Sequence, residues 1–241
     1  MDALWYAPLL SPVRPTIDSA LRETEKAVTR APSTPSSPPE RARFELGASP
    51  FRVKGVLYQG TQAFFEQNLQ GGMTSLLSEI DDPALRAFIT QKFLPSGWYD
   101  VLPVPDLIAC EARALRMGLP EYLLHRTRYQ AKRDLGGVYG WVLRLATPGL
   151  VATRLPKIMS QMFDFVRVDA VREDGNVVEV RFHGIPATLV DWLHNALNVY
   201  SETALKLAGA RGVDISLPRA RAEGEVQGVP TVSIAFQLTW E

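Results

Sequence analysis

The chain predicts an α+β fold in which a helical N-terminal half precedes a β-β-α-β-β antiparallel sheet, with the crossover helix packed on one face. Three observations predict it. The segment Val229–Trp240 alternates: Val232, Ile234, Phe236, Leu238 and Trp240 point one way, and Thr231, Ser233, Ala235, Gln237 and Thr239 the other. Leu189, Leu193, Ala196, Leu197, Tyr200, Ala204 and Leu207 recur at helical spacing. Between two strand-like stretches, 163–172 and 177–183, the run Glu173-Asp-Gly-Asn176 supplies a Gly-containing hairpin turn.

The elements follow in order. Residues 1–30 read as an N-terminal extension with one short helix, from Asp18 as N-cap through Ala20, Leu21 and Val28. Residues 31–43 are a Pro/Ser-rich linker that cannot bury a core. Residues 44–241 then form a single α+β domain. It opens with the apolar segment Phe51–Tyr58, leading into a helix that carries Phe64, Phe65 and Leu69. Asp82-Pro83 places an N-cap before a first-turn proline, and the helix it starts carries Leu85, Phe88 and Ile89. Leu94-Pro-Ser-Gly-Trp-Tyr99 breaks the chain as a turn. Pro105 opens a helix that Gly118 is expected to close, and Pro120 opens another that runs to Gly136-Gly137. Pro148 and Pro156 punctuate the next helical stretch, which ends near Met162. Thr188-Leu-Val-Asp191 resembles a capping box for the crossover helix, with Gly209 as its C-terminal stop. Val213, Ile215 and Leu217 mark the third strand, and a polar Gly-Glu-Val-Gln-Gly loop returns the chain into the fourth.

Bulk properties exclude several function classes. The 241 residues carry 26 basic and 26 acidic side chains, so no global field favours nucleic acid or an anionic membrane. Residues 111–133 are locally basic, six against two, and residues 173–241 acidic, nine against five; both read as solvated faces. The single cysteine, Cys110, excludes an internal disulfide and a Cys-based zinc site, and its apolar helical neighbours suit a buried thiol. No stretch has the length to span a bilayer, and the first residues lack a secretory pattern, so the cytoplasm is the expected compartment.

Chemistry-bearing residues are few. His125 shares a helix face with Tyr129 and Lys132, and His183 a strand face with Glu179 and Arg181; both are expected in solvent. Asp191 and His194 lie one helical turn apart but lack a third metal ligand. Asp81-Asp82 is a helix start before it is an acid–base pair. Ser96-Gly97 lies in a turn and not in a nucleophile elbow. Gly136-Gly-Val-Tyr-Gly-Trp141 follows a helix and lacks the phosphate-binding Lys-Ser/Thr, which suits a helix contact or bend. An enzyme is therefore disfavoured, and neither metal nor cofactor is expected. The residues that remain are pocket candidates: Trp98, Tyr99, Tyr139, Trp141 and Trp192 as walls between helices and sheet, with Arg154 and Lys157 to hold an anionic group.

The layout of residues 51–240 resembles the haem-NO-binding domain and its relatives, the vinyl-reductase-like ligand domains and the Bet3-type trafficking subunits. Lys54-Gly-Val-Leu-Tyr-Gln before an aromatic-rich helix is similar to the family's opening. Phe182-His-Gly-Ile-Pro, a long helix, Gly209 and the Val213-Asp-Ile strand parallel its second half. The blocks Val53-Lys-Gly-Val-Leu-Tyr, Leu207-Ala-Gly-Ala-Arg-Gly-Val and Leu238-Thr-Trp-Glu resemble an uncharacterised paralogous family of myxobacteria, a bacterial family with no assigned activity. The haem-binding members use a proximal histidine on the helix before the sheet; Pro148–Phe163 contains none, and Arg154 and Lys157 stand there. They also hold the haem propionates with Tyr-x-Ser-x-Arg at the end of the second strand, where this chain reads Arg181-Phe-His-Gly-Ile. The resemblance therefore implies the fold without haem bound in the family's manner; His125 or His183 would be the unrelated alternatives as axial ligands.

Two functions are expected from this. The first is a non-catalytic sensory or regulatory domain that signals through a small apolar or anionic ligand held between helices and sheet. The alternative is an interaction scaffold of the trafficking-subunit type, with a filled core, acting through homodimerisation or docking on a protein partner.

Overall fold

The computed structural model describes residues 44–136, 143–169 and 172–241. The extension, the linker and two pocket candidates, Tyr139 and Trp141, lie outside the described residues. The first half carries β1 (Arg52–Lys54), α1 (Val56–Asn68), α2 (Gly72–Ser78), α3 (Pro83–Thr90), β2 (Trp98–Asp100), α4 (Val104–Ala114), α5 (Leu119–Gly136) and α6 (Pro148–Ser160). The second half carries β3 (Arg167–Val168), β4 (Arg172–Asp174), β5 (Val177–Pro186), α7 (Val190–Leu207), β6 (Asp214–Ser216), β7 (Arg221–Val226) and β8 (Val229–Thr239). The α+β reading, helices first and sheet second, is the observed fold.

Local chemistry explains most boundaries. Asp82 accepts the Ala84 N–H at 2.8 Å and Pro83 follows at the first helical position, so α3 starts where an N-cap and a preset φ coincide. Thr147 caps α6 in the same way, with Pro148 behind it. α7 ends at Ala208 with Gly209 at φ +88°; the Ala210 N–H reaches the Leu205 carbonyl at 3.0 Å and the Gly209 N–H that of Lys206 at 3.1 Å.

Four expectations are corrected. Gly118 does not close α4: Arg116 takes the left-handed position at φ 53°, and the Met117 N–H bonds the Ala112 carbonyl at 2.9 Å, so the helix stops before the glycine. Thr188 does not cap α7, because Ala187–Leu189 form a 3-10 turn and Leu189 takes the cap position without a side-chain bond. Trp98–Asp100 is not only a turn; it pairs antiparallel with β1, Val53 opposite Tyr99. The polar stretch read as a loop before the last strand is β7, joined to β8 by a turn at Gln227-Gly228, with φ 50° and 77°.

The sheet runs in the order β3-β5-β8-β6, with β4 also paired to β5 and β7 to β8. β5 and β8 form its spine, Val180 opposite Phe236 and Phe182 opposite Ile234. Val178, Val180, Phe182, Ile234, Phe236 and Leu238 are buried and join one core with Leu193, Leu197, Ala204 and Leu205 of α7. The alternation holds from Ile234 to Trp240; Thr231 and Ser233 are buried as well, where the β5 and β7 registers shift. β1 ties the two halves: Val53 bridges to Phe163, and the Lys54 N–H bonds the Met162 carbonyl at 2.9 Å. The Asp100 carboxylate, buried at the end of β2, accepts the N–H groups of Gly47 and Leu102 at 3.1 and 2.9 Å.

Candidate functional site

A cavity of about 190 Å³ lies among α1, α4, α5, α7 and the end of α6. The helices that enclose it each bring a face that the core pattern dictates. Leu57 and Tyr58 come from α1, Leu107 and Ile108 from α4, Leu193 and Ala196 from α7, and Met159, Met162 and Phe163 from the segment entering the sheet. Most of its wall is apolar. The volume lies below the ~300 Å³ where pockets for drug-sized ligands begin and near that of a dry cavity that admits benzene.

Its polar wall is α5, which presents Tyr122, Arg126, Gln130 and Asp134 at four-residue spacing. The Tyr122 hydroxyl donates to Glu111 Oε2 on α4. Gln130 Nε2 donates to both Asp134 oxygens at 2.7 and 2.9 Å, and the Tyr200 hydroxyl donates to Asp134 at 2.7 Å. Asn195 of α7 donates to the Leu123 carbonyl at 2.9 Å and to Thr127. Gly60 lets α1 come this close: a Cβ there would stand 2.6 Å from Gln130 Oε1.

Burial sets the electrostatics of this wall. Glu111 is 3% exposed; burial pushes its carboxyl above the usual range, partly opposed by the Tyr122 hydrogen bond and the Arg126 charge. Burial also raises the phenols of Tyr58, Tyr122 and Tyr200, with the nearby carboxylates adding to it. Tyr58 donates to the Asp100 carbonyl, so all three hydroxyls remain donors within the protein.

Among the sequence candidates, Trp192 lines the cavity, in edge contact with Phe163 at 6.0 Å between ring centroids. The other described candidates do not. Trp98 is exposed beneath the Lys54 ammonium, 3.6 Å from its ring centroid, and Tyr99 accepts the Leu94 N–H at 2.8 Å outside the cavity. Arg154 and Lys157 are exposed on the outer face of α6, whose buried residues are Val151, Ala152, Leu155 and Pro156. The cavity lies between helices and not between helices and sheet as expected, because the aliphatic and aromatic side chains of β5 and β8 fill the space above the sheet. The signal missed in the sequence is the stripe 122–126–130–134, whose polar residues resemble a solvated helix face.

The histidines divide. His125 is exposed, as expected. His183 is half-buried on the other face of the sheet, its Nδ1 on Glu223 and its Nε2 2.8 Å from Asp169, so the expectation of a solvated ring is corrected. Burial lowers the pKa of His194, partly offset by Asp191, and its Nε2 has no partner. Among the described residues no group of three candidate ligands gathers to hold a metal ion. For a haem of the kind that the haem-binding members hold, the cavity wall offers no histidine or cysteine, and its tyrosine hydroxyls are engaged as donors. These residues do not fit that group. No helix among the described residues is long and apolar enough to cross a membrane.

No protein-family model matches the chain, and no curated protein does. Solved structures do. An H-NOX mutant labelled Cs, carrying 4-cyano-L-phenylalanine, aligns with a TM-score of 0.53 and 10% identity over 78% of this chain and 97% of that one. An oxygen-binding H-NOX domain related to soluble guanylate cyclases aligns at 0.50 and 11%, covering 78% and 92%. An Fe(II) unliganded H-NOX mutant from K. algicida aligns at 0.50 and 10%, covering 78% and 97%. At such identities the likeness concerns architecture alone, and it agrees with the order of elements described above: this chain has a fold similar to that of H-NOX domains.

Proposed function

We propose that the domain is a non-catalytic sensory or regulatory module that holds one small, mostly apolar molecule in the interhelical cavity and holds no haem. The observation that carries this reading is the cavity itself, an apolar-walled void bordered on one side by a line of hydrogen-bonding side chains. The H-NOX-like architecture supports it by analogy of fold. The absence of any histidine from the wall supports the exclusion of haem. Native and denaturing mass spectrometry with an absorption spectrum tests both parts. A small excess mass lost on denaturation, without a Soret band, is expected. A Soret band would overturn the haem-free part. Equal masses, together with no response of Leu193 or Ala196 resonances to dissolved xenon, would overturn the cavity part.

A second reading, docking or homodimerisation, draws on the outer face of α6. Leu150 and Ile158 are 51% and 60% exposed there, with Arg154 and Lys157 between them. An assembled form lost in Leu150→Glu/Ile158→Glu would support it, and a monomer at all concentrations would remove dimerisation.

A further inference from the structure

The cavity holds a cation whose best hydrogen-bonding edge is unused. The Arg126 guanidinium donates from Nη1 to Gln130 Oε1 at 2.8 Å. Its Nη2 reaches Thr61 Oγ1 only at 3.4 Å, a long contact for a charged donor. Its Nε is buried and has no hydrogen-bond partner among the described residues, although the guanidinium lies close enough to Tyr122 to act on its phenol. Nε–H and the adjacent Nη2–H are parallel donors on one edge of the plane, spaced to meet the two oxygens of a carboxylate.

Among the described residues none supplies that anion. No ion pair to Arg126 occurs among the described residues. Glu111, the nearby carboxyl, already accepts from Tyr122 and is held toward its neutral form by burial. Asp134 accepts from Gln130 and Tyr200 and lies 3.8 Å from Arg133; it shares Gln130 with Arg126 and makes no direct ion pair with it. The ring of Phe64 covers one face of the guanidinium at 5.0 Å, a contact that does not replace a counter-ion. Arg126 is half-buried, and a buried donor on a cation left unpaired is costly unless a ligand completes it.

We infer that the cavity takes a small carboxylic acid as its carboxylate, with the Nε–Nη2 edge of Arg126 as the anchor and the apolar wall around the acid's body. This rests on the cavity reading above and adds the ligand's class to it. The whole acid is limited to roughly six to nine non-hydrogen atoms, since a dry cavity of ~150 Å³ holds benzene. Acetate underfills it, butyrate fits, and benzoate approaches its limit. A neutral ligand of the same shape leaves the guanidinium edge unpaired and binds more weakly.

The test is titration calorimetry of the full chain at pH 7 with acetate, butyrate and benzoate, beside toluene as the neutral probe and xenon detected by NMR. Butyrate or benzoate is expected to saturate the protein at least tenfold more tightly than toluene. Arg126→Met is expected to weaken the carboxylate at least tenfold while leaving toluene within threefold. Arg126→Lys, which keeps the charge and loses the fork, guards against a folding defect and is expected to recover less than a third of the carboxylate affinity. Carboxylates that bind no better than toluene, or that bind Arg126→Met and Arg126→Lys as they bind the native chain, would overturn the anchor while toluene or xenon occupancy preserved the cavity. Failure of xenon, toluene and carboxylates alike would overturn both.

Discussion

Ala196→Leu asks directly whether the interhelical cavity exists in solution. Ala196 lies on α7 and lines the void of about 190 Å³, so three added carbons enter existing space and need not push on packed neighbours. At ~0.8 kcal/mol per buried methylene the transfer gain is about 2.4 kcal/mol, and restricting a leucine side chain costs ~0.5–1 kcal/mol. Ala196 itself is half-buried, which trims the gain further. The expected net effect is therefore a stabilisation of about 1–1.5 kcal/mol. In urea unfolding this appears as a higher midpoint at unchanged slope, and in a thermal scan as a rise of about 2–6 °C. The same substitution should abolish xenon, toluene and benzoate binding, because it occupies their volume. A protein purified with a ligand would behave differently in one respect: removing the ligand's mass-action contribution offsets part of the gain until the native chain is stripped. Destabilisation by more than ~1 kcal/mol at unchanged slope would refute the reasoning, since overpacking means that no void was there to fill.

Three further outcomes follow from the same structure. Gly55→Ala is expected to destabilise by ~1–3 kcal/mol in urea unfolding, because its Cβ would stand 2.2 Å from the Leu94 carbonyl oxygen and 2.7 Å from the Tyr99 ring, whereas Gly118→Ala, with nothing within 4 Å and no positive φ, is expected to be neutral or stabilising by up to ~1 kcal/mol. Glu111→Gln removes a carboxyl whose pKa burial raises above 4.5; the unfolded chain ionises first, so native stability falls as pH rises from there to the folded pKa, and the variant gains on the native chain by up to ~1.4 kcal/mol per pH unit across that window, a pH-independent difference refuting the assignment. For His183, partial burial disfavours the charge but the hydrogen bonds to Glu223 and Asp169 raise its pKa above 6.5, and for Glu223 burial is outweighed by the Gly184 N–H and His183, which lower its pKa below 4.5. Their contribution, ~0.2–1 kcal/mol, is complete between those two values and is lost as pH rises through the folded pKa of His183 or falls through that of Glu223, so protection of the Gly184 amide relative to its intrinsic exchange should be greatest in that window and lose its high-pH limb in His183→Gln.

How far the fold was legible depended on whether a residue's partners were local. Asp82-Pro83, Thr147-Pro148 and Gly209 act within one turn of their own helix, and each marks the boundary that the spacing implies. The run from Ile234 to Trp240 alternates because β8 has one face on the core and one off it, a property of a single strand. β7 escaped because all six of its residues are exposed and Val226 is its only large apolar side chain, so its main strand property is backbone pairing with β8, which leaves no hydrophobic period to read. β2 escaped for a related reason: three residues after a Pro-Ser-Gly turn form a strand only because β1, more than forty residues earlier, lies beside them. Arg116 is a different failure. Glycine is the usual left-handed residue, and an arginine in that role carries no sequence signature.

The site was less legible than the fold, and α5 shows why. Polar residues at helical spacing predict a solvated face when water is the assumed partner, and on that basis Arg126 is one of six basic residues on a locally basic stretch. In the folded chain the stripe Tyr122–Arg126–Gln130–Asp134 instead meets Glu111 of α4, Thr61 of α1 and Tyr200 of α7, each supplied by a distant segment. The bulky aromatics and exposed cations that sequence reasoning favours, Trp98 and Arg154 among them, stand elsewhere for the converse reason: Trp98 has Lys54 above it, and Arg154 lies on the face of α6 opposite Ala152 and Leu155. The discriminating quantity is the balance of donors and acceptors inside the fold, not residue type. Tyr122 closes on Glu111, Tyr200 and Gln130 close on Asp134, and Tyr58 closes on the Asp100 carbonyl, while the Nε of Arg126 does not close. His194 Nε2 and Ser201 Oγ are also unpaired, but the Nε of Arg126 is the open donor that sits on a charged side chain of the cavity wall, and it directs attention from a packed polar core to a site with an external acid as its missing partner.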